Sequence, residues 1–124
     1  MAIERFEDIR AWQAARKFVS SIYQISASGE FRSDFALRDQ IRRAALGIPS
    51  NIAEGFERDR PREFHQFLSI AKASCAEVRS DLYVALDVGH ITESVFAGVM
   101  ADGESVANQI GAFRASLARR HKLG

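Results

Sequence analysis

Arginine forks are the groups in this chain best suited to chemistry with a ligand. Arg58, Arg60 and Arg62 alternate with Glu57, Asp59 and Glu63 around Pro61, and Arg119, Arg120 and Lys122 come close together near the end of the sequence. A guanidinium presents its N–H donors in a rigid planar fork that matches phosphate oxygens, so both clusters are candidate nucleic-acid contacts. The competing reading is a solvated helix end neutralised by its own acids. A second polar group, Arg42, Arg43, Asn51 and Glu54, is a candidate partner patch, set against ordinary bridging between helices. The remaining reactive residue types point away from catalysis. There is no glycine-rich phosphate loop, no nucleophile elbow and no CxxC pair. His65, His90 and His121 have no partners at metal-ligand spacing, and Glu54 and Glu57 lack the Glu-x-x-His companion of a bundle metal site. Cys75 falls on an apolar stripe and reads as an inert core thiol. No catalytic residue, cofactor or metal is expected.

The rest of the composition frames these clusters. The chain has 124 residues, enough for one domain spanning 1–124 with a real core. Its net charge is only +1, so no global field gathers DNA or a membrane. The distribution says more. Fourteen of the seventeen basic residues are arginine, and none of the seventeen lies between Ser80 and Phe113, where Asp81, Asp87, Glu93, Asp102 and Glu104 stand alone. A single cysteine excludes an intrachain disulfide, which fits a reducing, cytoplasmic setting. The N-terminal MAIERFEDIR lacks the apolar run of a signal peptide, and no segment is apolar enough for a membrane span.

Four helical segments are predicted to position the clusters. The first runs from about Glu7 to Ala27 on a stripe of Ile9, Trp12, Ala15, Val19 and Ile22. Ser26 to Gly29 reads as its stop, with Ser33 or Asp34 as the next N-cap. The second runs from about Asp34 to Glu57 with Leu37, Ile41, Ala44, Ile48, Ile52 and Phe56 in phase, and it contains Pro49. Two readings compete there. In one the helix breaks and Asn51 caps a new one, with Glu54 at its third position. In the other the helix continues with a kink at Pro49, softened by Gly47, and the unbroken phase favours this one. The third starts at Pro61, with Phe64, Leu68, Ala71, Cys75, Val78, Leu82 and Ala85 in heptad spacing, and stops at Gly89. The fourth, capped by Thr92, runs from about Glu93 to Ala118 on Phe96, Val99, Gly103, Val106, Ile110, Phe113 and Leu117. Gly98, Gly103 and Gly111 weaken it, and close approach of a neighbouring backbone is the expected compensation. Residues 119–124 read as a frayed basic tail.

Short loops force sequential helices to run antiparallel, so the predicted fold is an all-α, antiparallel up-down four-helix bundle with a proline-kinked second helix. That topology gathers Arg58, Arg60, Arg62, Arg119, Arg120 and Lys122 at one end and Asp81, Asp87 and Glu93 at the other.

The proline segment also carries a resemblance. Gln40-Ile41-Arg42-Arg43-Ala44-Ala45 followed by Ile48-Pro49-Ser50-Asn51-Ile52-Ala53-Glu54-Gly55 resembles the signature of the 23S rRNA intervening-sequence proteins, also called the four helix bundle protein family. Phe6-Glu7-Asp8-Ile9 with Trp12-Gln13 resembles that family's N-terminal motif, and Glu63-Phe64, Phe67-Leu68 and Ala76-Glu77 resemble its third helix. The match covers about residues 6 to 92, and the sequence departs from the pattern at Gly47 and Cys75. The resemblance implies a cytoplasmic bundle that assembles into a homopentamer. It also implies kinship with the accessory variability protein of diversity-generating retroelements, which binds nucleic acid and a reverse transcriptase. It transfers no catalytic residue. Two functions are therefore expected to compete: a nucleic-acid-binding accessory protein acting on structured RNA through its arginines, and an oligomeric scaffold for a protein partner with no nucleic-acid contact.

Overall fold

The computed structural model describes residues 3–123, and among them every regular element is helical. A single 3-10 turn at Phe6–Asp8 precedes α1 (Arg10–Ile25), a short α2 (Gly29–Ser33), α3 (Phe35–Glu57), α4 (Pro61–Asp87) and α5 (Glu93–His121). α3 packs on α4, α4 on α5, and α1 closes the ring against both α3 and α5. The core between the long helices follows the apolar stripes. All seven heptad residues of α4, from Phe64 to Ala85, are buried, as are Val99, Gly103, Val106, Ile110 and Leu117 of α5. In α1 the buried stripe is Ala11, Ala15, Phe18 and Ile22, so Phe18 rather than Val19 is the large inward residue.

The start and stop signals act through specific groups. Asp34 caps α3 by accepting from the Leu37 N–H at 3.2 Å, and Thr92 caps α5 by accepting from Val95 N–H at 3.1 Å. Pro61 opens α4 at the position where its missing donor costs nothing. Gly89 ends the α4 region at φ +80°, a conformation that suits glycine.

α3 runs unbroken through Pro49, so the reading in which Asn51 opens a separate helix does not hold. Proline has no N–H to give the Ala45 carbonyl, and in a straight helix this costs about 3 kcal/mol. Burying Ile48 and Ile52, both fully inaccessible, returns about 1.5–3 kcal/mol each, which outweighs the loss. Asn51 serves the helix from within: its side-chain amide donates to the Gly47 carbonyl at 2.6 Å.

Three boundaries differ from the sequence reading. α1 begins at Arg10, because Phe6–Asp8 forms its own 3-10 turn, closed by the Ile9 N–H donating to the Phe6 carbonyl. α2 was not predicted. Five residues are too few to show a helical period, yet this segment drives Phe31 fully into the core. The expected tail at 119–124 is helical as far as His121. Lys122 turns the chain at φ 53°, and the Leu123 N–H donates back to the Ala118 carbonyl at 2.9 Å, a closure that secures the last turn. Gly124 lies outside the described residues.

Of the three α5 glycines, only Gly103 is closely approached, and by side chains rather than by the neighbouring backbone that was expected. A Cβ there would lie 3.0 Å from Phe18 and 3.2 Å from Arg79, whereas one at Gly98 meets nothing within 4 Å and one at Gly111 only ordinary contact. The Cys75 thiol donates to the Gly103 carbonyl at 3.2 Å across the same approach.

Candidate nucleic-acid interface

The α3–α4 turn and the last turn of α5 arrive side by side, and the aromatic residues beneath them explain why. Phe56 of α3 packs edge-on against Phe64 of α4 at 5.9 Å between ring centroids, and Phe64 meets Phe113 of α5 at 5.5 Å. Gly55 lets α3 and α4 close: a Cβ there would sit 2.6 Å from Phe67 Cβ and 2.9 Å from Phe64 Cδ1. A groove of about 350 Å³ lies over this aromatic junction. Phe56, Phe64, Phe113 and Leu117 form its apolar lining, and Asp59, Arg60, Arg120 and His121 its polar one.

The six predicted cations do not play one part. Arg58 is held inside its own chain. Its guanidinium reaches Glu54 at 3.0 Å and Glu63 at 3.5 Å and lies 5.0 Å from the Phe67 ring centroid. It clasps the end of α3 to the start of α4. Arg60 is 79 % exposed at its side chain and only loosely paired, with Nε 3.6 Å from Glu63. Exposed pairs of this kind contribute little, about 0–1 kcal/mol, and leave the fork free to turn to a stronger acceptor. Arg62, Arg119, Arg120 and Lys122 are exposed and make no ion pair among the described residues. Arg60 and Arg120, sixty positions apart in sequence, line the same groove. Arg62, Arg119 and Lys122 do not line it.

The second group does not form a free patch. Arg42 donates from Nε to the Ser26 hydroxyl at 2.8 Å and stacks over Tyr23 at 4.5 Å, closing the C-terminal end of α1. Ser26 is fully buried and donates in turn to the Ile22 carbonyl at 2.7 Å. Asn51 is spent on Gly47 and Glu54 on Arg58. Only Arg43 is exposed without an ion pair among the described residues.

Elsewhere the titratable groups have structural surroundings. Burial pushes the Cys75 thiol up, against the pull of Arg79, so it stays protonated. Burial likewise raises Asp81, although Gln40 donates to its Oδ1 at 2.9 Å; its other oxygen is buried without a partner. At the far end of the bundle, His90 stacks on Phe31 at 5.1 Å and bonds Asp34 at 2.9 Å, and that bond lowers the Asp34 carboxyl. Burial lowers His65, helped by Arg114. No cluster of three metal-ligating side chains occurs among the described residues, and no helix is long and apolar enough to cross a membrane.

The groove itself escaped the sequence reading. Phe56, Phe64 and Phe113 were each visible as stripe residues, but nothing in their spacing shows that three helices bring them to one place. Asp59 carried a subtler signal: it sits at φ 58°, a left-handed conformation that aspartate tolerates better than most residues.

The model of the 23S rRNA-intervening sequence protein family matches residues 7–112. Among solved structures, the chain is similar to a protein of unknown function from the S23 ribosomal protein family of Bacteroides thetaiotaomicron. The TM-score is 0.76 at 19% identity, covering 84% of this chain and 97% of that one. At that identity the likeness speaks for the fold. No curated protein matches the sequence.

Proposed function

Because the chain belongs to the 23S rRNA-intervening sequence protein family, we propose that it is a non-enzymatic accessory protein that binds structured RNA through its arginine-rich end. The observation that carries this reading is the meeting of Arg60 and Arg120 on one groove, flanked by Arg62, Arg119 and Lys122, which are exposed and make no ion pair among the described residues. Planar forks suit phosphate oxygens, and their binding releases counterions from the nucleic acid. The long helices alternate in direction around a kink at Pro49. The Arg42–Ser26, Gln40–Asp81 and Arg114–His65 bonds support the alternating directions, since each joins an early turn of one helix to a late turn of its neighbour. The protein works in the cytoplasm as a homo-oligomer, with five subunits the leading number, so a weak contact repeated per subunit adds up through avidity.

The test is a titration of structured RNA and duplex DNA at several salt concentrations. Wild type is compared with a variant in which Arg60, Arg62, Arg119 and Arg120 become glutamate, sparing Arg58 because it clasps the fold. Wild type should bind at low salt and weaken steeply as salt rises, with a log–log slope of about −0.9 per phosphate neutralised on duplex DNA. Absence of binding at low salt, or equal binding by the variant, refutes the reading.

A second reading is a scaffold for a protein partner without nucleic-acid contact. Exposed Ile70, Tyr83, Val84 and Val88 on and just after α4 favour it, since they leave apolar side chains open to a partner. Failure of the RNA titration with retained oligomerisation would select this one.

A further inference from the structure

We infer that the groove between the α3–α4 turn and the end of α5 receives one unpaired base of the bound nucleic acid, a base carrying an exocyclic amine. The inference rests on the nucleic-acid reading above and names what that end reads beyond phosphate. Three observations carry it. The first is the lining. Phe56 and Phe113 are only half buried where they meet the groove, so ring surface is open to a guest. At about 350 Å³ the groove stands at the small end of the range for small-molecule sites, which is about 300–1,000 Å³. The second is the pair of arginines on the same groove. A base that leaves its stack brings its own phosphates with it, and Arg60 and Arg120 are placed to meet them. The third is Asp59, which lines the groove and has no ion-pair partner among the described residues. A carboxylate repels phosphate but accepts from an N–H donor. Adenine, cytosine and guanine offer an exocyclic amine, whereas uracil offers only its ring N3–H.

An apolar peptide side chain fits this groove less well. It would cover Asp59, Arg60 and Arg120 without giving any of them a hydrogen-bond partner, and burying unpaired charge is costly. A nucleotide satisfies the ring surface, the cations and the acid together. Helical ends of duplex RNA keep their bases stacked and paired, so the groove distinguishes an unpaired nucleotide from a paired one.

The experiment uses the full chain at low salt with three short RNA duplexes, identical except for a bulge. One is fully paired, one carries a single bulged adenosine and one a single bulged uridine. Stacking of a base on an aromatic side chain strengthens binding by about 5- to 160-fold. The adenosine bulge should bind at least about 5-fold tighter than the paired duplex, and uridine should gain less. Phe113→Leu keeps the site apolar but removes the ring, and it should bring the adenosine-to-paired ratio close to one. A second readout does not depend on how that variant folds. In wild type, NMR signals of the Phe113 and Phe56 rings should shift with the bulged duplex and stay in place with the paired one. Equal, salt-dependent binding of all three duplexes with unmoved ring signals overturns the base pocket and leaves the arginine contacts standing. Absence of binding by all three overturns the nucleic-acid reading, and the pocket falls with it.

Discussion

Alanine at Gly55 and alanine at Gly98 are expected to change stability in opposite directions, although both are glycine-to-alanine changes inside a helix. The intrinsic term is the same for both, a gain of about 1 kcal/mol from better helix propensity. At Gly98 nothing lies within 4 Å of the added Cβ, so that gain survives. At Gly55 the Cβ would lie 2.6 Å from Phe67 Cβ and 2.9 Å from Phe64 Cδ1. The nearer atom is attached directly to the α4 backbone, so a rotamer change cannot clear it and the two helices must part. Overpacking of this kind costs about 1–3 kcal/mol, and the rigidity of the contact places it in the upper half. The net loss at Gly55 is then about 1–2 kcal/mol. For a domain of this size 1 kcal/mol moves the melting temperature by about 4 °C, so Gly98→Ala should melt about 4 °C higher and Gly55→Ala about 4–8 °C lower. Thermal melts by circular dichroism at one fixed protomer concentration compare the three proteins, because any self-assembly would make melting concentration-dependent. The Gly55 variant should also lose part of the Arg58–Phe67 contact, since α4 carries Phe67 away. A Gly55→Ala protein as stable as wild type would refute the close α3–α4 approach on which the groove depends.

Light scattering at micromolar concentration should give a mass several-fold above the protomer's 13.8 kDa, and a monomer at every concentration would remove the oligomer from the proposed function. Asp81→Asn should raise stability by about 1 kcal/mol at neutral pH, because it replaces a buried ionised oxygen that lacks a partner. Burial raises the folded-state value of Asp81, so wild type is favoured when the group is protonated. The variant's advantage should therefore shrink as pH falls through the acid range; denaturant midpoints measured across pH give the answer, and a pH-independent difference would contradict the assignment. Asp34→Ala should destabilise, since it removes both the α3 cap and the partner of His90. The Asp34 carboxyl is held below its ordinary value, so its contribution is present above the usual carboxylate range and lost as pH falls through the folded value. A melting difference that stays constant down to strongly acid pH would contradict this.

Much of the bundle was legible because its signals are local. The α4 stripe was read correctly residue by residue, the α5 stripe for Val99, Gly103, Val106, Ile110 and Leu117 but not for half-buried Phe96 and Phe113, and Pro61, Asp34, Gly89 and Thr92 each marked a boundary by a mechanism acting within one turn. The continuity of α3 was legible too, since a phase kept from Ile41 to Ile52 is worth more than one missing bond. What stayed hidden depends on residues far apart. Phe31 is carried inward by a helix too short to show a period, and its stacking partner His90 lies far along the chain. The expectation about Gly98 and Gly111 failed because a helical glycine reveals a weak spot and does not reveal whether a neighbour stands opposite. Within the candidate site, the charges were visible but their engagement was not. Arg58 and Arg60 look equivalent in sequence, yet one is clasped by two carboxylates and the other is nearly free.

That difference divides the basic end into parts that answer to different pressures. Arg58 sits among its own chain's acids and an aromatic ring, so changing it disturbs the α3–α4 junction as well as any contact outside. Arg62, Arg119 and Arg120 stand on helix turns and Lys122 caps the end of α5, none with an ion-pair partner of its own among the described residues. Exchanging them moves stability by no more than about 0.5 kcal/mol, the usual range for surface positions. Under the proposed function, the outer cations are therefore the positions where single substitutions could alter binding with no compensating change in the core. A new preference that required altering the clasp would need at least two changes together. If this end binds as proposed, its specificity can therefore change while the architecture holds still.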